Sequence, residues 1–172
     1  MFKLVDPHCR RLPVTLVLDN IRSLYNTGSI FRTADASGVE RVILCGITPR
    51  PDQGGRQRRA IAKTALGAED SVRWEYVAET REAIAACRSE GCAIVAVELA
   101  ADAVTLFEWT PRWPVCLVFG HERTGIAEDL APAIDVVIQI PMLGQKRSLN
   151  VATAAGVVLY ELLRLRLYDP IT

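Results

Sequence analysis

Three short polar clusters interrupt an otherwise apolar chain, and they hold the residue types best suited to chemistry. The first is Asn26-x-Gly28-x-x-x-Arg32-x-Ala34. The second is Phe119-Gly120-x-Glu122-x-x-Gly125, and the third Ile140-Pro-Met142-x-Gly144-x-x-x-Ser148-Leu149-Asn150. Side-chain amides, a carboxylate and a hydroxyl can orient a substrate by hydrogen bonds. A guanidinium can grip an oxyanion with its planar fork and stabilise developing negative charge. Each cluster alone has an ordinary structural reading: Asn26 as a helix cap, Glu122 in a solvated turn, Ser148 as a second cap. Yet each follows an apolar run, at 14–18, 115–119 and 136–140. In a parallel sheet all three would converge on the carboxyl edge, where open α/β sheets take their ligands.

Several other chemistries are excluded by what is missing. No GxGxxG follows a strand, and neither GxxxxGK[ST] nor GxSxG occurs, which removes the dinucleotide fingerprint, the P-loop and the nucleophile elbow. The five cysteines (Cys9, Cys45, Cys87, Cys92, Cys116) form no CxxC pair and lie mostly in apolar segments. They read as buried free thiols in a reducing compartment. With only His8 and His121 available, no metal site is expected. Lys+Arg and Asp+Glu are both 20. That balance argues against coating nucleic acid by bulk charge and leaves room for a local basic face. No apolar run approaches the roughly 20 residues of a membrane span, and the N-terminus lacks the order of a signal peptide. A cytoplasmic protein with no membrane partner is expected.

The elements that must position the clusters follow from periodicity. Apolar runs at 14–18, 41–45, 93–97, 115–119 and 136–140 predict strands, with a minor one at 72–77. A helix capped by Asn26 or Thr27 should end at Gly38, with Ile30, Phe31 and Ala34 facing the core and Arg32 on another side. Further helices are expected over 79–88, around 127–130 and from about 150 to 166, the last with Ser148 at its N-cap. Its small residues Ala152, Ala154, Ala155 and Gly156 predict close approach by other backbone. The composition of 46–59 predicts a mobile basic loop, in which Arg56, Arg58 and Arg59, with Lys63 beyond it, are candidate phosphate contacts. Trp74, Trp109 and Trp113 are expected in core or interface. The 172 residues predict a single α/β domain, 1–172, with a mostly parallel sheet and helices on both faces.

The ordered triple resembles the three motifs of the SpoU/TrmH family, RNA ribose 2′-O-methyltransferases of the SPOUT superfamily. The resemblance runs from about 14 to 163, and Lys63-Thr-Ala-Leu-Gly-Ala-Glu69 shares it. It implies a C-terminal deep trefoil knot, a rare exception among folds. It further implies S-adenosylmethionine held in the knot, with Gly120, Ile140, Met142 and Leu149 at cofactor-contacting positions and Glu98 and Leu99 at a further strand end. Arg32 matches the catalytic arginine, while Asn26, Glu122, Ser148 and Asn150 would orient ribose, arginine and loops. Because guanidinium stays protonated to above about pH 12, Arg32 is expected to clamp phosphate and stabilise charge, with a phosphate oxygen as one candidate proton acceptor. The implied partners are structured RNA, tRNA ahead of rRNA, and a second copy of the chain, without a separate RNA-binding domain. The last helix carries Val151, Ala154, Val158 and Leu162 on one side and Leu159, Leu163 and Leu167 on the next. That is wider than docking on one sheet requires, and it predicts a two-fold homodimer through this helix. Two alternatives stay open: a non-catalytic knotted module that holds cofactor or RNA, and a methyltransferase acting on a base.

Overall fold

Aliphatic and β-branched runs, buried on both faces in the central strands, build one all-parallel sheet in the computed structural model, which describes residues 11–168; His8 and Cys9 lie outside them. The strands are β1 (Leu12–Asp19), β2 (Val39–Cys45), β3 (Trp74–Val77), β4 (Ala93–Val97), β5 (Val104–Thr105), β6 (Val115–Phe119) and β7 (Val136–Gln139). Their spatial order is β3-β2-β1-β6-β4-β7-β5, and every neighbouring pair is parallel. Alternate residues feed two apolar layers. Leu16, Leu18 and Leu117 join one, while Val17, Cys116 and Val118 join the other. Uniformly apolar strands are what a sheet covered on both sides needs. β5 was not expected; two residues held by pairing to β7 leave no periodic signal.

On the first layer lie α1 (Leu24–Ser37), α2 (Gly55–Ala65), α3 (Ala68–Ser71), and, after α4 (Thr80–Ser89) on the opposite side, α5 (Val151–Tyr168). The opposite layer is covered by α4 (Thr80–Ser89) and a short 3-10 segment, Glu128–Ala133.

Three local expectations are corrected. The cap of α1 is Ser23, whose hydroxyl accepts the Asn26 N–H at 3.2 Å, and not Asn26 or Thr27. Gly38 closes the helix in the left-handed conformation, as expected. The 46–59 segment is a loop only over 46–50. A 3-10 turn at Pro51–Gln53 leads straight into α2, so Arg56, Arg58, Arg59 and Lys63 all stand on a helix. Gly54 and Gly55 mark its entry, and the Arg, Gln and Ala that follow are good helix formers whose buried side, Ile61 and Ala65, packs inward. Finally, α5 is capped by Asn150 rather than Ser148: Asn150 Oδ1 accepts the N–H groups of Ala152 at 2.9 Å and Thr153 at 3.4 Å.

The close approach expected at Gly156 is found at Gly28 instead. A Cβ added at Gly156 would only touch Thr33, at 4.0 Å. At Gly28, by contrast, a Cβ would run into the Ile61 carbonyl and the Thr64 hydroxyl. That close passage lets Thr64 Oγ1 donate to the Tyr25 carbonyl at 3.0 Å, locking α1 to α2. Leu159 is fully buried inside its own chain. The apolar width of α5 is therefore partly used by the monomer; Leu163 and Leu167 are half-buried, and Tyr160 and Tyr168 are exposed. Trp74, Trp109 and Trp113 pack against the core, with Trp74 edge-on to Phe31 at 6.5 Å. No helix among the described residues is long and apolar enough to cross a membrane.

Candidate active site

The carboxyl ends of three adjacent strands, β6, β4 and β7, open into a cavity of about 570 Å³ roofed by the start of α5. Each end continues into one of the polar stretches. Phe119 leads to Gly120, Val97 to Glu98, and Gln139 to an approach to Asn150 that is exposed apart from the half-buried Ile140 and Met142.

One chain of hydrogen bonds ties the three motifs together. Glu122 accepts the backbone N–H groups of Arg22 (3.0 Å) and Ser23 (3.2 Å) and the side-chain amide of Asn26 (3.1 Å). Asn26 Oδ1 in turn accepts Asn150 Nδ2 at 3.1 Å, and Asn150 Oδ1 caps α5. Both ends of the Asn26 amide are thereby used, which fixes its orientation. Glu122 also places its charge at the N-terminus of α1, where free N–H groups favour an anion. Burial alone would push its carboxyl up. The Arg22, Asn26 and Ser23 donors, with its own N–H, outweigh that and hold it below the usual value.

The 120–125 turn is rigid for identifiable reasons. His121 and Gly125 exchange backbone hydrogen bonds at 3.1 and 2.9 Å, and His121 Nδ1 accepts from Arg123 and Thr124. His121 is thus occupied in holding the turn. Gly125 has φ 69°, and a Cβ there would strike the Glu98 carboxylate. Glu98 spans from strand to turn, accepting the N–H of Leu99 at 2.9 Å and of Ile126 at 3.2 Å.

All six residues expected to hold a cofactor (Glu98, Leu99, Gly120, Ile140, Met142, Leu149) line the cavity, as do Glu122, Ser148 and Asn150. Leu99 and Leu149 remain 46% and 39% exposed there, apolar walls waiting for an apolar ligand surface. Asn26 joins through its bonds. Ser148 lines the space without entering the hydrogen-bonded chain. Arg32 is not brought in: it stands exposed on α1, about 9 Å along the helix axis from Asn26, with no hydrogen-bond or ion-pair partner among the described residues. The α2 cations also lie away from the cavity, and Arg58 is drawn to Asp70 at 3.4 Å. Sequence reasoning missed Ser23 as the cap and Arg123 and Arg147 as lining residues. Ser23 stood three residues before Asn26, a capping spacing, and both arginines lay inside the motif stretches.

The described cysteines, Cys45, Cys87, Cys92 and Cys116, are free and buried. Burial pushes Cys45 up to about 12 and Cys92 to about 11. Cys87 is lowered, first by a hydrogen bond with Cys116 and then by Arg41, but it is sealed in the layer under α4 and away from the cavity. No group of three or more His, Cys, Asp or Glu among the described residues could hold a metal ion.

Residues 13–160 match the SpoU rRNA Methylase family. The chain belongs to that family. Among SpoU-family relatives, it is 34% identical over 158 residues to the tRNA (guanosine(18)-2′-O)-methyltransferase of Escherichia coli (strain K12), covering 91% of this chain and 66% of that one. It is 32% identical over 155 residues to a 23S rRNA (guanosine-2′-O-)-methyltransferase of Pseudomonas aeruginosa, covering 90% and 60%. An AdoMet-bound rRNA methyltransferase from Sinorhizobium meliloti superposes with TM-score 0.79 at 30% identity, covering 91% of this chain and 60% of that one. The TrmH/SpoU tRNA modifying enzyme of A. aeolicus gives 0.78 at 29%, covering 91% and 77%. This SpoU chain therefore spans about two thirds or less of the length of the curated relatives it matches.

Proposed function

We propose that this protein transfers a methyl group from S-adenosylmethionine to a ribose 2′-hydroxyl of structured RNA, with transfer RNA preferred over ribosomal RNA. The observation that carries this reading is the Glu122–Asn26–Asn150 chain of hydrogen bonds at the rim of the cavity. It joins three elements around a space of the size small-molecule sites occupy, roughly 300–1,000 Å³. Relatives of both RNA classes share the family, among them a tRNA (guanosine(18)-2′-O)-methyltransferase at 34% identity.

The cavity suits the cofactor. Leu99, Ile140, Met142 and Leu149 offer apolar contact for a purine and a thioether-like sulfonium, and the adjoining loop backbone offers donors and acceptors for the polar ends. The cofactor supplies an already activated methyl group, so alignment of the hydroxyl and stabilisation of charge are what this chain must add. Asn26, Glu122 and Asn150 hold the rim in one geometry. Ser148 stands at the cavity with its hydroxyl uncommitted, fit to meet the ribose. Arg32, unpartnered and exposed on α1, clamps an RNA phosphate and stabilises its charge, and an oxygen of that phosphate takes the proton that the 2′-hydroxyl gives up as it is methylated. Arg56, Arg58, Arg59 and Lys63 extend phosphate contact along α2.

The same reading includes a trefoil knot in the C-terminal part, a single domain over 1–172 and a cytoplasmic location. What supports the knot is topology: β7 lies between β4 and β5, yet α5 returns to pack on α1 beyond β6. A two-fold homodimer through α5 belongs to it as well. Tyr160, 53% exposed, and the half-buried Leu163 and Leu167 form the face a second copy would cover.

The deciding experiment incubates the full chain with labelled cofactor and bulk tRNA or rRNA from a strain lacking the gene, then digests the product to nucleosides for mass spectrometry. A 2′-O-methylnucleoside is the expected product. Methyl on a base supports the second enzyme class instead, and absence of transfer with cofactor still bound supports a binding module.

A further inference from the structure

We propose that Tyr25 is a stacking platform for a nucleobase of the RNA, set at the end of a phosphate track formed by Arg56, Arg59 and Lys63; this rests on the RNA reading above. Tyr25 is a large aromatic left 52% exposed on the first turn of α1. The next residue, Asn26, is bound to Glu122 and Asn150, so the ring stands one residue along the chain from the rim of the cavity and faces α2. An unsupported surface tyrosine would swing freely, but here the backbone beneath it is fixed. Thr64 donates to the Tyr25 carbonyl at 3.0 Å, and Gly28 lets α2 press against α1.

The charge next to the ring is of the right sign and on the right element. Lys63 Nζ stands 6.0 Å from the ring centroid, at the outer limit of a cation–π contact. It is close enough to meet the phosphate of a nucleotide whose base covers the ring, and held weakly enough to move. Arg56, Arg59 and Lys63 follow the i, i+3, i+7 spacing that keeps them within about 60° of the α2 circumference over about 10 Å of its length. All three are exposed. Arg58 points off this stripe and is tied to Asp70. A cationic stripe ending on an exposed ring is what binds a strand with unstacked bases: cations for phosphate, the ring for a base face. In a chain of zero net charge this local concentration marks the surface.

The test is fluorescence anisotropy of the full chain with a labelled single-stranded RNA of about 12 nucleotides, alongside light scattering. Tyr25→Ala should weaken binding roughly 10-fold, Tyr25→Phe should stay within about twofold, and Tyr25→Trp should match or exceed the parent. The salt dependence should be unchanged in Tyr25→Ala but shallower in Arg56→Gln/Arg59→Gln, because only the latter loses phosphate contacts. Circular dichroism confirms that each variant is folded. Unaltered affinity in Tyr25→Ala, with loss in the arginine double variant, overturns the platform and leaves the RNA reading standing. A change in mass on Tyr25→Ala without a change in affinity assigns the ring to contact with a second copy and also overturns it. A parent protein that binds neither this strand nor bulk tRNA overturns the RNA reading itself.

Discussion

Asn26 donates its side-chain amide to Glu122 at 3.1 Å across 96 positions of sequence, and the two residues together hold the entry to α1 against the 120–125 turn. Replacing Asn26 with Asp keeps the shape but turns the donor into a second carboxylate facing the first. Asn26→Ala should cost about 1–2 kcal/mol through two lost hydrogen bonds. Asn26→Asp should melt lower than Asn26→Ala at neutral pH, and the gap should close as the pH falls and the carboxylates protonate. Thermal melts of the two variants at several pH values check this.

Acid should loosen the fold at two carboxylates, one of them Glu122. The folded-state pKa of Glu122 lies below its ordinary value of 4.5, and that of Asp135 below 3.8, where donation from Ile94 N–H and Arg88 outweighs burial. A carboxyl depressed on folding binds more protons when unfolded. Its contribution is therefore complete above the ordinary pKa and is lost as pH falls through the folded value. Glu122→Gln and Asp135→Asn should each flatten the melting-temperature profile on the acid side of these values. Parallel curves for parent and variants would contradict the assignment.

Gly28→Ala should destabilise by about 2 kcal/mol or more, since the added methyl meets the backbone carbonyl of Ile61 and the Thr64 hydroxyl. Gly156→Ala, where the methyl only touches Thr33, should be neutral or slightly stabilising because alanine is the better helix former. Urea denaturation of the pair separates close helix approach from mere small-residue composition.

Arg32→Ala should abolish methyl transfer while leaving cofactor affinity within a few-fold, because Arg32 stands on α1 outside the cavity. Arg32→Lys should fail as well, lacking the planar fork. Turnover on RNA and calorimetry with cofactor give the two readouts; near-normal turnover in either variant would remove Arg32 from the reaction.

Light scattering at micromolar concentration should give twice the mass of one chain, and Leu163→Glu with Tyr160→Glu should return it to one. Leu159→Glu should instead unfold the protein, because that side chain is fully buried within its own chain. A folded Leu159→Glu monomer would contradict the packing described for α5.

The strands were legible because burial on both faces writes an uninterrupted apolar run into the sequence, and the motif order was legible because each polar cluster follows such a run. What stayed hidden was settled by partners distant in sequence. Ser23 and Asn26 are both good caps, and only the Glu122 carboxylate reaching back decides which one is free for the site. Pro51, Gly54 and three arginines suit a loop as well as a helix until Ile61 and Ala65 find α1. Periodicity showed that α5 is broadly apolar, but it could not tell Leu159, covered by its own chain, from Leu163. For Arg32 and the α2 cations the residue type alone suggested RNA, because a solvent-exposed cation leaves no packing pattern in the sequence.

The bonds that complete the candidate site span 96 and 124 residues, and this orders events at the ribosome. Asn26 leaves the exit tunnel early, long before Glu122 and Asn150 exist to receive its amide. A nascent chain can pair β1 with β2 and dock α1 on α2, yet the rim of the cavity gains its first joint only with Glu122 and its last only with Asn150. A polypeptide released early by stalling or cleavage before Asn150 would have the whole sheet and the Glu122–Asn26 bond, but a rim left open where α5 should close it.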